Sequence, residues 1–121
     1  MNKKDRPLIA LSVIVGNEAD VLERFIRSFF PAVDTAVFTF ARGSLPRDGG
    51  QEVIERVCAE VGLPFKILHY TNEVEFDHVD NFGKARQMGW SAAEKTKAKY
   101  LMWADCDDIL DEGSIEPLRR L

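Results

Sequence analysis

Apolar and polar positions alternate along the chain in two distinct periods. Leu8 to Val15 is a near-continuous apolar run interrupted only by Ser12, as expected for a strand buried on both faces. Val21, Leu22, Phe25, Ile26, Phe29 and Phe30 then recur at helical spacing and form one wide apolar stripe, which Pro31 ends. Thr35 to Phe40 reads as a second strand, and Ala41 to Gly50 as a loop with Gly43, Pro46, Gly49 and Gly50. Val53, Ile54, Val57, Cys58 and Val61 mark a second amphipathic helix with Gly62 as its stop. Phe65 to Tyr70 is a third strand, and Thr71 to Asp80 is polar and irregular. Asn81 or Asp80 caps a third helix running to about Lys97. Tyr100 to Ala104 is a fourth strand. Ser114 is expected to cap a last helix that the chain end cuts short.

Strand and helix thus alternate without repeats or low-complexity segments. The pattern predicts an α/β fold, a three-layer Rossmann-like sandwich around a mostly parallel sheet. Such sheets bind ligands beyond the carboxyl ends of their strands, so the informative residues should follow Val15, Phe40, Tyr70 and Ala104.

A length of 121 residues fits a single domain, 1–121. The net charge of −4, with basic residues scattered among acidic ones, argues against a nucleic-acid partner. No stretch approaches the roughly 18 apolar residues of a membrane span. The charged start, Met1 to Arg6, leads into an apolar run without a signal-peptide cleavage site. Cys58 and Cys106 form neither a disulfide framework nor a metal-spaced cluster; with Cys58 on an apolar helix face, the expectation is a reduced, cytoplasmic protein.

Chemistry concentrates in Asp105-Cys106-Asp107-Asp108, where a buried strand is expected to end. Neighbouring carboxylates there ask for a cation, and hard oxygen ligands suit Mg²⁺ or Mn²⁺. A solvated turn with a helix-capping aspartate is an equal reading of the turn alone. A calcium loop would place ligands at Asp105, Asp107, Asp111 and Glu116, but Leu110 occupies its glycine position and a strand precedes it. A receiver domain needs an acidic pair after the first strand, where this chain has Gly16-Asn17-Glu18.

Four segments together resemble the family-2 glycosyltransferases, which have a GT-A fold. They are Leu11 to Leu22 with its Asn17-Glu18 turn, Gly43-Ser44 with Asp48, Asn81-Phe82-Gly83-Lys84-Ala85-Arg86-Gln87, and Trp103 to Asp108 with its Asp-x-Asp pattern. The resemblance implies a nucleotide-sugar donor, a UDP-sugar first, and an acceptor it does not identify. It implies metal ligation by Asp105 and Asp107, and nucleotide contacts from Asn17, Glu18, Ser44, Asp48, Arg86 and Asp105. The cofactor would be Mn²⁺ or Mg²⁺, and the catalytic base is not identified. The family's base-binding aspartate after the second strand is replaced here by Ala41, and its asparagine after Arg86 by Gln87.

Proteins of this family continue well past the metal motif, so the chain is expected to be the nucleotide-sugar-binding part, truncated at its C-terminal end. Self-association through the surface left uncovered is a corollary. The alternative is a non-catalytic nucleotide- or metal-binding module, with a receiver-like Mg²⁺-binding domain behind it. Outside the motifs, Trp90 and Trp103 read as packing residues, His69 and His78 as hydrogen-bonded or solvated, and Glu112 and Glu116 as surface or capping groups. Asp77, His78 and Asp80 are candidates for the mouth of the site.

Overall fold

The computed structural model describes residues 7–43 and 47–121. Four strands, β1 (Ile9–Val15), β2 (Thr35–Phe40), β3 (Phe65–His69) and β4 (Tyr100–Asp105), form one sheet in the order β3-β2-β1-β4. Every neighbouring pair is parallel. The connections are α1 (Ala19–Phe29), α2 (Gly50–Val61) and α3 (Phe82–Glu94), and α4 (Ile115–Arg119) follows β4. The three-layer α/β sandwich expected from the alternation is the fold observed.

Strand pleating sends alternate residues to opposite faces, and the two faces are built differently. On one, Leu11, Val13, Val15, Phe38 and Phe40 meet Leu22, Phe25, Ile26 and Phe29 of α1 and Ile54, Val57 and Cys58 of α2. Phe25 and Phe38 are fully enclosed, and burial of each contributes about 1.5–3 kcal/mol. Gly62 stops α2 at φ 73°, a left-handed conformation that only glycine adopts freely.

The other face is thin. α3 lies on it through small buried residues, Ala85, Gly89 and Ala93, of which Ala93 packs with Ala10 and Val37. A Cβ on Gly89 would fall 2.6 Å from Thr39 Oγ1 and 2.8 Å from Ser12 Oγ, so glycine is what lets helix and sheet approach.

Three expectations change. The third helix ends at Glu94 rather than near Lys97, because the Thr96 hydroxyl bonds Ala93 O and Lys97 adopts φ 64°. Ser114 stands at the start of α4 but makes no side-chain cap; a preceding 3₁₀ turn, Glu112–Ser114, supplies the entry. β4 is not a buried strand: among the described residues it pairs only with β1, and α3 covers β1 and β2 far more than β4. Trp103 is accordingly 50% exposed, not packed. No helix among the described residues is long and apolar enough to cross a membrane.

Candidate functional site

The parallel register sets Ile14 beside Asp105, so β1 and β4 release their chains at the same end of the sheet. There Asp105 N–H donates to Asp108 Oδ2 at 3.0 Å, while Asp108 N–H donates to Asp105 O at 3.0 Å. One aspartate is thereby consumed in closing the turn. Cys106 turns inward, is buried, and donates its thiol to Ile14 O at 3.4 Å; burial pushes that thiol's pKa far up. Asp105 and Asp107 are left exposed, and among the described residues their carboxylates have no hydrogen-bond or ion-pair partner.

Glu18 completes this end. Its Oε1 accepts the Gly16 N–H at 3.1 Å, and its pKa is nevertheless raised. Burial is the largest cause, followed among the raising influences by the negative charges of Asp107, Asp105 and Asp20. The field here is negative and wants a cation. No three His, Cys, Asp or Glu side chains among the described residues converge as a ready-made metal cage. That arrangement still fits Mg²⁺, which keeps several waters and needs only one or two carboxylates beside substrate phosphates. Asn17 is exposed at the tip of the same turn.

Arg86 stands on α3 above β4. Its guanidinium lies 4.1 Å from the Trp103 ring centroid and 4.7 Å from that of Phe82. Such stacking holds the group in place by cation–π attraction without neutralising it. Arg86, Trp103, Trp90, Gly83 and Gln87 line an open cleft of about 310 Å³. Trp103 precedes Asp105 by two residues on β4, so strand alternation puts both on one face.

Asp48 does something else. Its Oδ2 accepts the Ala19 N–H at 3.0 Å and its Oδ1 the Gly50 N–H at 3.0 Å. One carboxylate thus ties together the first residues of α1 and α2, at the positive ends of both helices. Ser44 lies outside the described residues. Of the residues singled out from sequence, the fold therefore gathers Asn17, Glu18, Asp105 and Asp107 at one end of the sheet. Arg86 flanks them, and Asp48 serves the helix starts.

A second feature lies over β2 and β3. A cavity of about 490 Å³ is lined by Phe40, Arg42, Arg47, His69, Tyr70 and Phe76, among others. The stretch Thr71 to Asp80, irregular by sequence, is knitted into a wall. Asp80 accepts from Tyr70 Oη at 2.7 Å and Glu73 N at 2.9 Å, and its own N–H donates to Asn72 Oδ1 at 3.1 Å. Asn72 Nδ2 in turn donates to His78 O at 2.8 Å. The bond to Asp80 raises the Tyr70 hydroxyl to about 12. Gly43 joins this wall to the loop after β2: at φ 64°, an added Cβ would lie 2.4 Å from His78 O. Asp80 is thus a scaffold for the mouth rather than a group free to face a ligand. Arg42 and Arg47 carried no motif, so only the fold shows that they share a cavity.

No protein-family model matches the chain, and no curated protein is detectably similar to it in sequence.

Proposed function

We propose that the chain is the nucleotide-sugar-binding part of a metal-dependent glycosyltransferase. One observation carries the reading. Asp105 and Asp107 leave the carboxyl end of β4 unpartnered among the described residues, beside Glu18 at the end of β1, whose pKa is raised by burial first and then by their charges. Parallel α/β sheets bind ligands at this end.

Asp105 and Asp107 would hold Mg²⁺ or Mn²⁺, which when bound supplies Lewis-acid stabilisation of a departing nucleoside diphosphate. The chain's own groups would do the rest. Asp108 closes the turn and so fixes the direction of its two neighbours. Arg86, held over Trp103 but not neutralised, offers a cation to donor phosphates, and the Trp103 and Trp90 rings border the cleft beside it. Glu18 and Asn17 border the nucleoside side of the turn. The four sequence segments that resemble family-2 glycosyltransferases support the same assignment.

Calorimetric titration with UDP, and separately GDP, in the presence of Mn²⁺ tests it. Binding should depend on Mn²⁺ and fall at least about tenfold in Asp107→Ala, corresponding to the ~1.4 kcal/mol of one lost charge-assisted contact. Equal affinity in parent and variant would remove Asp107 from the site. Slow release of nucleoside diphosphate from a UDP-sugar distinguishes turnover from binding alone.

A further inference from the structure

We propose that the cavity between the loops following β2 and β3 is a second binding site, independent of metal, for a small phosphate ester carrying a planar ring. At about 490 Å³ its volume lies in the range of small-ligand pockets. The Phe40 and His69 rings stack in its lining at 5.4 Å and 18°, and Phe76 adds apolar surface. The exposed His69 ring, backed by the buried Phe40 ring, is the surface a planar ligand ring would meet.

The anion preference comes from arginine. Arg42, 5.8 Å from the Phe40 centroid, and Arg47 both line the cavity. Neither has a carboxylate partner among the described residues. Their charges, after burial, lower the His69 pKa, so both are near enough to act on one point inside the cavity. Planar guanidinium forks match phosphate oxygens better than ammonium groups do. Of the nearby carboxylates, Glu73 is engaged by Lys84, Asp80 by the loop and Asp48 by the helix starts, leaving Glu75 in the cavity and Glu52 in the adjoining cleft against two arginines. A narrower cleft with the same Phe40, Arg42, Arg47 and His69 runs on to Gly50, where the Asp48 carboxylate already caps the start of α2.

The walls are also preformed. The Asp80 bonds brace the loop after β3 internally, and Gly43 lets the loop after β2 pack closely on the His78 backbone, which limits the ordering cost of binding. Nothing here draws on Asp105 or Asp107, so the site stands or falls apart from the proposed glycosyltransferase reading.

Phenyl phosphate and inorganic phosphate are the probes, titrated into the full chain with EDTA present. The readouts are calorimetry and the His69 ring resonances by NMR, with the His78 ring in the same spectra reporting general salt effects. Phenyl phosphate should bind saturably, shift His69, and bind more tightly than inorganic phosphate. Affinity should drop about tenfold or more in Arg42→Gln and in Arg47→Gln, one charge-assisted contact each. Asp107→Ala should bind phenyl phosphate as the parent does. Circular dichroism confirms that each variant is folded, and Arg42→Lys, which keeps the charge but loses the fork, should fall between parent and Arg42→Gln. The proposal is overturned by an absence of saturable binding, by unchanged affinity in a folded Arg42→Gln/Arg47→Gln double variant, or by inorganic phosphate binding as tightly as phenyl phosphate.

Discussion

The carboxyl end of the sheet has two halves of opposite character. Over β1 and β4 the acidic groups are free: Asp105 and Asp107 are exposed and unpartnered among the described residues, and Glu18 feels their charge. Over β2 and β3 two of the acidic groups are committed, Asp80 to four backbone and side-chain partners and Glu73 to Lys84, so that Arg42 and Arg47 outnumber the remaining Glu75 in the cavity. Residue type alone does not separate these halves. What separates them is whether each charge is already satisfied by the fold, since a carboxylate with its lone pairs filled by N–H donors has little left to offer a ligand. Asp48 stands between the halves and belongs to the committed kind, bonding the starts of α1 and α2.

The largest effect should come from Gly43, where the wall of the basic half depends on a missing side chain. Gly43→Val adds a Cβ within 2.4 Å of His78 O at φ 64°. Left-handed strain and overpacking together should cost about 2–4 kcal/mol, read by urea denaturation. Amide exchange should locate the damage in residues 71–80 and leave the Asp105 turn protected as before. Equal loss of protection in both halves would show that they are not separate units.

Asp48→Ala comes next. It removes two N–H acceptors at helix starts and should lower stability by about 1–2 kcal/mol, with Asp48→Asn recovering part of the loss. The effect should be one of melting temperature, with phenyl phosphate and nucleotide binding unchanged once the variant is folded. A selective loss of nucleotide affinity at unchanged stability would move Asp48 into the acidic half.

These two residues also show what the sequence made legible. Helical and strand periods report burial, so β1, α1, β2, α2 and the parallel order could be read directly from runs such as Val21, Leu22, Phe25, Ile26 and Phe29. The Asp105 turn was legible because a strand feeding into aspartates is a local pattern. Trp103 was misjudged as packing because an apolar run does not say whether a helix covers the strand. α3 lies over β1 and β2, and β4 stays open. The basic cavity was illegible for a related reason. Arg42 and Arg47 follow β2 whereas His69 ends β3, and their proximity follows from β2 pairing with β3 and from Gly43 meeting the backbone of His78.

The smallest effect is the most direct probe of the acidic half. The Glu18 pKa is raised in the folded protein above its ordinary value of 4.5, by burial first and then by Asp107 and Asp105. The native state therefore holds this proton more tightly than the unfolded chain does. Stability must fall as pH rises from about 4.5 through the raised folded value, and the deficit persists at neutral pH. Glu18→Gln keeps an oxygen for the Gly16 N–H and removes the charge, so it should be more stable than the parent at pH 7 and no more stable below pH about 4. The group is half-buried and still reaches water, so screening should hold the gain below about 1 kcal/mol. Asp107→Asn should shrink the same gain, because it removes the largest of the neighbouring charges that raise the Glu18 pKa. A parent and Glu18→Gln pair with identical stability from pH 4 to 7 would mean that the acidic half carries no field worth neutralising, and would weaken the case for a cation there.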